Sequence, residues 1–292
     1  LEHIVRVQKR FIFFTAKPPS ESLLKKDIEK YYGGMVEVSR GCPFLCEFCD
    51  VRTYPDNNRP HNKDPKTIVK EVERYAQLGV SRILLVCDNF IGDLRWAERV
   101  ADELIRFQRS SPCRVSFFTE STTNLYKYPE LMRKLRAAGF DMLHIGVESF
   151  SNSALLETAK VQNTKASISH VIQTIQSFGF VIAPGLIFGF DSDLEDCFDL
   201  TLEGLVDAGL MAGDPGLLIA IPGTPLYHRM KLAGRVRDIN YGMGFRYQTN
   251  IKYIQSTSFL ISGMMRFFHK QSDGHYQYLR LKNFFSIIQQ GN

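Results

Sequence analysis

Polar and apolar positions between residues 35 and 234 repeat in one rhythm: an amphipathic stretch, a glycine, then a short run that is nearly all apolar. The glycines are Gly79, Gly139, Gly179 and Gly209. Helices commonly end on a left-handed residue just past the last turn, and glycine takes that backbone without a Cβ clash. The runs that follow predict strands over 81–86, 142–147, 180–188 and 217–221. A strand over 35–38 opens the series, and one over 115–119 follows a helix that starts near Asp93. Residues 65–78 alternate apolar and charged positions at helical spacing. The strand runs are short and almost continuously apolar, as strands of a buried parallel sheet are.

Six β–α units in series imply an α/β fold: a parallel sheet with right-handed crossovers, curled into a full or partial barrel or opened as a doubly wound sheet. In both, chemistry gathers at the C-terminal ends of the strands, here the loops after Val38, Val86, Thr119, Val147, Phe188 and Ile221. The chain divides into a polar lead-in, 1–34, with a helix over 21–32; the repeating core, 35–234; and a tail, 235–292, that loses the rhythm. The tail carries eleven Phe or Tyr between Tyr241 and Phe285, and eight Lys or Arg against two Asp, although the whole chain's formal charge is only +5. It reads as a cap or a substrate-side extension.

Composition narrows the class. With 292 residues, 44% of them hydrophobic and 23% charged, the chain is globular rather than disordered, collagenous or coiled coil, and long enough to bury a core without disulfides. Its longest apolar stretches, 182–190 and 217–221, fall far short of the roughly 20 residues of a membrane helix. The start lacks the pattern of a secretory signal peptide, and six Cys, three of them within eight residues, do not resemble a disulfide framework. A cytoplasmic location is expected. The first residue is Leu1 rather than Met, which leaves room for upstream sequence.

After the first strand, S-R-G-C-P-F-L-C-E-F-C-D sets Cys42, Cys46 and Cys49 in a C-x3-C-x2-C array. Three thiolates this close in sequence can converge on one metal centre. Zinc wants four closed ligands, and His61 or Asp50 would have to complete the set. An iron–sulfur cube held by three cysteines instead leaves one iron open to an outside ligand. Cys87, Cys113 and Cys197 lie in or beside apolar elements and read as core.

With the aromatic Phe48 just before its last cysteine, this loop resembles the signature of radical S-adenosylmethionine (SAM) enzymes. The likeness covers about residues 35–234, because V-C-D-N-F-I-G, F-F-T-E, I-G-V-E-S, Q-N-T, G-F-D-S-D and I-P-G-T-P-L-Y look like the successive strand-end motifs of the cobalamin-binding branch. The resemblance implies a partial (β/α)6 TIM-like barrel of the radical SAM type with an aromatic, basic C-terminal extension. It implies a [4Fe-4S] cluster on Cys42, Cys46 and Cys49, Phe48 packed against cluster or adenine, and SAM chelated by the open iron. Asp88 and Asn89 then fall where relatives receive the methionine amino group. Glu120 and Glu148 would accept from ribose hydroxyls or the ammonium, Lys160 would pair with the carboxylate, and Gly189, with Gly185, would let the backbone approach the adenine. The plainer readings are helix caps or a salt bridge for the glutamates, a solvated lysine and turn glycines.

The reaction so implied is reductive cleavage of SAM to a 5′-deoxyadenosyl radical, which abstracts hydrogen from a small or lipid-like substrate for methylation at carbon or a ring rearrangement. A one-electron reductant such as flavodoxin or ferredoxin would drive it. Only 41 residues precede Cys42, too few for the cobalamin domain of that branch, and no D-x-H-x-x-G segment is present. Cobalamin is therefore expected only through a missing or separate domain. The rival reading is a non-enzymatic zinc or iron–sulfur scaffold that binds a partner through its tail. The tail suits a packed lid, or association with a membrane surface, better than a nucleic-acid interface, and no nucleic-acid partner is expected.

Overall fold

The structure is a computed structural model, and it describes residues 25–238 and 249–291. Strand β1 (Gly34–Glu37) leads into a short antiparallel pair, β2 (Ser39–Arg40) and β3 (His61–Asn62). Then follow α1 (Pro65–Gln77), β4 (Arg82–Val86), α2 (Leu94–Ser110), β5 (Ser116–Ser121), α3 (Pro129–Ala138), β6 (Phe140–Glu148), α4 (Asn152–Glu157), α5 (Ile168–Ser177), β7 (Val181–Phe188), α6 (Cys197–Asp207), β8 (Asp214–Leu217) and α7 (Pro225–Leu232). The tail adds α8 (Thr257–Ser272) and α9 (Gly274–Gly291). The main sheet runs β1-β4-β5-β6-β7-β8 with every neighbouring pair parallel, as the six-fold rhythm predicts.

Local chemistry starts and stops these elements. Asp64 caps α1 by accepting from the Thr67 amide at 3.0 Å, and Asp93 caps α2 by accepting from the Trp96 amide at 3.1 Å. Gly79, Gly139, Gly179 and Gly209 all take left-handed backbone, φ 63 to 101°. Of the expected helix over 21–32, residues 21–24 lie outside the described residues, residues 25–27 are helical, and Ile28–Lys30 continue as a 3-10 turn.

Burial along the strands alternates rather than running continuously. Ile83, Leu85, Phe117, Leu143, Ile145, Ile182, Leu186 and Phe188 are buried, while Leu84, Phe118, His144, Ala183 and Gly185 between them are only partly covered or exposed. Helices cover one face of the sheet, and the other is an incompletely filled inner surface. The sixth strand also differs from the expected 217–221. It begins at Asp214-Pro215-Gly216, residues poor in strand propensity but tolerated at an edge, and ends at Leu217. Beyond it Asn250 stands in for a neighbouring strand, since its side chain accepts from the Ala220 amide at 2.9 Å and donates to the Ala220 carbonyl at 2.7 Å.

The core crosses the expected boundary at residue 234. Leu260, Met264 and Phe267 of α8 belong to the same buried cluster as the strands, and the Phe267 ring lies 5.4 Å from that of Phe188. Helices α8 and α9 thus extend the helical layer beside α5 and α6. Tyr241, Phe245 and Tyr247 of the aromatic tail lie outside the described residues. Cys87 and Cys197 are buried as expected, but Cys113 is exposed: it sits in the polar turn between α2 and β5, where no apolar layer covers it. Among the described residues no helix is long and apolar enough to cross a membrane.

Candidate active site

The β2–β3 pair ties the base of the cysteine loop. Ser39 Oγ donates to Asn62 Oδ1 at 2.7 Å, and Asn62 Nδ2 donates to Asp93 Oδ2 at 3.0 Å. The Gly41 amide donates to Asp88 Oδ2 at 2.5 Å, and the Cys42 amide to the Asn57 carbonyl at 2.9 Å. Asp88, directly after β4, therefore holds the loop down. Cys46 is buried, Cys42 and Cys49 are half-buried, and all three are free thiols. Burial pushes the Cys42 thiol up and that of Cys49 up to about 11, and in both cases the neighbouring cysteine sulfurs add to the rise. Without a metal these groups stay protonated, whereas coordination removes the proton.

Polar side chains from two other segments, one after β4 and one after β6 and α4, meet this loop. Asn89, after β4, points Nδ2 at Cys42 Sγ, 3.7 Å away. Gln162, in the 3-10 turn Val161–Asn163, points Nε2 at Cys46 Sγ, 3.4 Å away. Lys160, at the entry to that turn, places its ammonium 5.9 Å from the Phe48 ring centroid and 2.7 Å from Glu148 Oε1. Burial by itself lowers the Lys160 pKa, but Glu148, with Cys46 and Cys49, overrides it and the net shift is upward. Phe48 packs on a small apolar cluster, Phe190, Leu226 and Met230 among its members, at the β7 and α7 side.

Glu148 ends β6 in an unusual way. The register with β7 slips between Gly146 and Glu148, and Glu148 takes left-handed backbone, φ 65°. For a residue with a Cβ this is strained, and the surroundings must over-determine it. They do: Asn163 Nδ2 donates to the Gly146 and Val147 carbonyls at 3.0 and 2.9 Å, and Lys160 holds the carboxylate. A Cβ added at Gly146 would overlap Glu148 Oε1 and stand 2.8 Å from Lys160 Nζ, so a side chain there would displace the charged ends of the pair. The salt-bridge alternative for Glu148 is thus what the structure displays, while the solvated-lysine alternative fails because Lys160 is only 6% exposed.

Glu120 lies at the end of β5, where its Oε2 accepts from the Cys87 amide at 3.4 Å and burial raises its pKa. Gly189 is left-handed, φ 97°; its amide donates to Asp193 Oδ2 at 2.8 Å, and the space a side chain would need is filled by the Tyr253 ring. Opposite the thiols stands a charged network that sequence reasoning missed. Arg229 on α7 reaches both carboxylate oxygens of Glu47, at 2.8 and 2.9 Å, with Glu157 at 3.3 Å and Asp191 at 3.4 Å. Arg235 makes a second two-pronged pair with Asp191, both distances 2.6 Å. Glu47 lies between Cys46 and Cys49, so this network grips the cysteine loop from the far rim. His61, the candidate zinc ligand, has Nε2 2.9 Å from the Asp56 carbonyl oxygen.

A family model described as the radical SAM superfamily matches residues 36–202, the span that holds the cysteine loop and most strands of the parallel sheet. The chain belongs to that superfamily. Relatives include the hopanoid C-2 methylase of Rhodopseudomonas palustris, 30% identical over 249 residues that make up 82% of this chain and 47% of the relative. An uncharacterized methyltransferase of Synechocystis is 31% identical over 240 residues, 82% of this chain and 44% of its own. This radical SAM chain therefore spans about half the length of the curated relatives it matches. Among solved structures, the cobalamin-dependent SAM radical enzyme OxsB, with aqua-cobalamin and SAM bound, superposes with a TM-score of 0.68 at 16% identity, over 97% of this chain and 49% of that one. The fold is the partial TIM-like barrel of the radical SAM type.

The family implies a [4Fe-4S] cluster and SAM, and the residues present fit them. Three free thiols sit on one loop, two of them faced by amide N–H groups and all beside a buried ammonium, a setting suited to an anionic thiolate-bound cluster. Among the described residues no three His, Cys, Asp or Glu are gathered as tightly as a single ion requires. Gln162 Oε1 is buried without a hydrogen-bond partner in the protein. Glu148 and Lys160 bring one charge of each sign to the site. Glu47, Arg229, Arg235, Gln162 and Asn163 were not singled out from sequence. Only the Q-N-T run, which includes Gln162 and Asn163, carried a local signal.

Proposed function

We propose that this chain is the radical-generating barrel of a SAM-dependent enzyme that methylates its substrate at carbon. The observation that carries the reading is the convergence of the Cys42, Cys46 and Cys49 loop with the buried Lys160–Glu148 pair at the strand ends. When bound, the cluster and SAM supply a one-electron cleavage of the sulfonium and a carbon-centred radical able to take hydrogen from an unactivated position. The chain's own residues bind and orient. Lys160 would hold the methionine carboxylate, and Glu148 would accept from the ammonium or ribose hydroxyls. Glu120 offers a second acceptor at the adjacent strand end, and Asn89 and Asp88 fix the loop on which the thiols stand.

Methylation rather than another outcome is favoured by the two relatives of about 30% identity, both named for methyl transfer. Cobalamin is proposed to come from a segment or protein outside this barrel, because structural neighbours have it bound and this chain spans only half of its relatives. A flavodoxin or ferredoxin is the proposed electron source, and the cytoplasm, where thiols stay reduced, the proposed location. The substrate is proposed to be small or lipid-like and reached at a membrane surface. Ile261, Met265, Tyr278 and Phe285 leave the two tail helices with exposed apolar side chains beside a basic surplus.

Anaerobic reconstitution tests the reading. Wild-type protein should take up about four irons and cleave SAM with a strong reductant, and Cys42→Ala, Cys46→Ala or Cys49→Ala should each lose both properties. Full iron content and cofactor cleavage in any of these variants would overturn the assignment.

A further inference from the structure

Two neutral amides face two of the three cysteine sulfurs with their N–H ends, and for Asn89 the surroundings fix which end points there. Asn89 is 1% exposed, and its Oδ1 accepts from the Ile91 amide at 3.3 Å and from Thr122 Oγ1 at 3.4 Å. Only Nδ2 is left for Cys42 Sγ. Gln162 arrives from a different element, lies 9% exposed and directs Nε2 at Cys46 Sγ, while its Oε1 has no partner in the protein. A buried carbonyl oxygen without a hydrogen bond costs about 1–3 kcal/mol, so this side chain is held for what its N–H end does. A ligating thiolate carries no proton, and only an N–H can meet it favourably.

We propose that Asn89 and Gln162 set the reduction potential of the cluster by donating hydrogen bonds to the sulfurs of Cys42 and Cys46. The inference rests on the reading of the loop as a cluster site and goes beyond it, because it assigns a tuning role to two residues that hold no metal themselves. Reduction adds one negative charge to the cluster, and part of that charge falls on the ligand sulfurs. A donor fixed on sulfur therefore stabilises the reduced state more than the oxidised one and moves the midpoint up. Burial strengthens the effect by lowering the local dielectric. Lys160 also sits near these sulfurs, but its charge is offset by Glu148, so the pair adds little net charge while the two amides add oriented dipoles. Tuning of this kind suits a cluster that must accept an electron from a soluble donor and still pass it to a sulfonium.

The experiment is a potentiometric titration of the reconstituted protein, followed by electron paramagnetic resonance of the reduced cluster, with iron content measured on every sample. Gln162→Leu removes the donor and the unpartnered oxygen together. Asn89→Asp keeps the acceptor for the Ile91 amide and removes the donor, but its carboxylate also lowers the midpoint by charge, so the neutral Gln162→Leu carries the test. Both variants should hold wild-type iron with a midpoint shifted to more negative values, and the double variant should shift further. Gln162→Glu, which adds a negative charge as well as removing the donor, should shift the midpoint further than the neutral Gln162→Leu. Clusters present in full with unmoved midpoints would overturn the inference alone. A wild-type protein that takes up no iron would overturn the functional reading and this inference with it.

Discussion

On one side of the cysteine loop, sulfur atoms meet neutral amides from the segments after β4 and β6, whereas on the other, around α7, carboxylates meet guanidinium groups. The two sides grip the same loop. On the first, Asn89 and Gln162 contribute dipoles without charge, and the single ion pair, Lys160–Glu148, is nearly sealed from water, with side chains 8% and 10% exposed. On the second, Arg229 and Arg235 serve three carboxylates, and the Arg229 side chain is 37% exposed. The contrast separates tasks. A cluster and a zwitterion need a local field that does not vary with salt, which buried dipoles and a sealed pair provide. Bracing a loop needs attraction but tolerates screening.

The strongest way to break the comparison is to open the sealed pair. Glu148→Gln leaves the Lys160 ammonium buried without its partner, which should cost about 3–5 kcal/mol in denaturant unfolding. Replacing both members, Glu148→Gln with Lys160→Met, should recover most of that loss, because a buried pair and a neutral pair of similar volume are close in stability. SAM binding, read by calorimetry, should remain absent in both. Recovery of binding in the double variant would show that the pair serves folding rather than the ligand.

How much of this was legible beforehand depended on range. Helix ends are local, so four glycines announced the repeat before any strand was seen. The cysteine spacing is equally local, and Asp88, Asn89, Glu120 and Glu148 are found at strand ends because the β–α order fixes where strand ends go, while Lys160 reaches the site from the turn after α4. The Arg229–Glu47 pair joins residues 182 positions apart, and no pattern near either residue announces it. The sixth strand was misplaced for the same reason: Asn250, 30 residues away, satisfies Ala220 from outside the run. Cys113 was misread because an apolar neighbourhood in sequence does not guarantee one in space.

A smaller effect comes from two aspartates in the loop after β7. Asp193 is buried and accepts from the Gly189 and Phe190 amides; burial outweighs these bonds and lifts its pKa to about 6. Its folded form therefore binds a proton more tightly than the unfolded chain does. The resulting stabilisation is complete below about pH 4 and is lost as pH rises through about 6. Asp193→Asn should remove that dependence, and relative to wild type it should gain on the order of 2–3 kcal/mol between about pH 4 and pH 7. Asp191 behaves oppositely, since the hydrogen bonds from Arg235 hold its carboxyl below the usual range. Asp191→Asn should cost stability at neutral pH, and the cost should fade in acid. Chemical denaturation of the three proteins across this range measures both signs, and parallel slopes for the two variants would contradict the opposite shifts assigned to these two carboxyls.

The smallest effect expected is on the exposed clamp itself. Arg229 meets Glu47 through two parallel N–H···O bonds, better geometry than most surface pairs, yet water reaches the guanidinium and weakens the attraction. A double-mutant cycle with Arg229→Met and Glu47→Gln should return a coupling of about 1 kcal/mol or less, because the cycle cancels each residue's other contacts. That coupling should fall as ionic strength rises from about 0.05 to 0.5 M, where the screening length shrinks below the span of the network. The Lys160–Glu148 cycle, measured in the same buffers, should barely change. The distinction between the two rims rests on solvent access, so equal salt sensitivity at both sites would mean that the inner pair is open to water and cannot supply the constant field assigned to it.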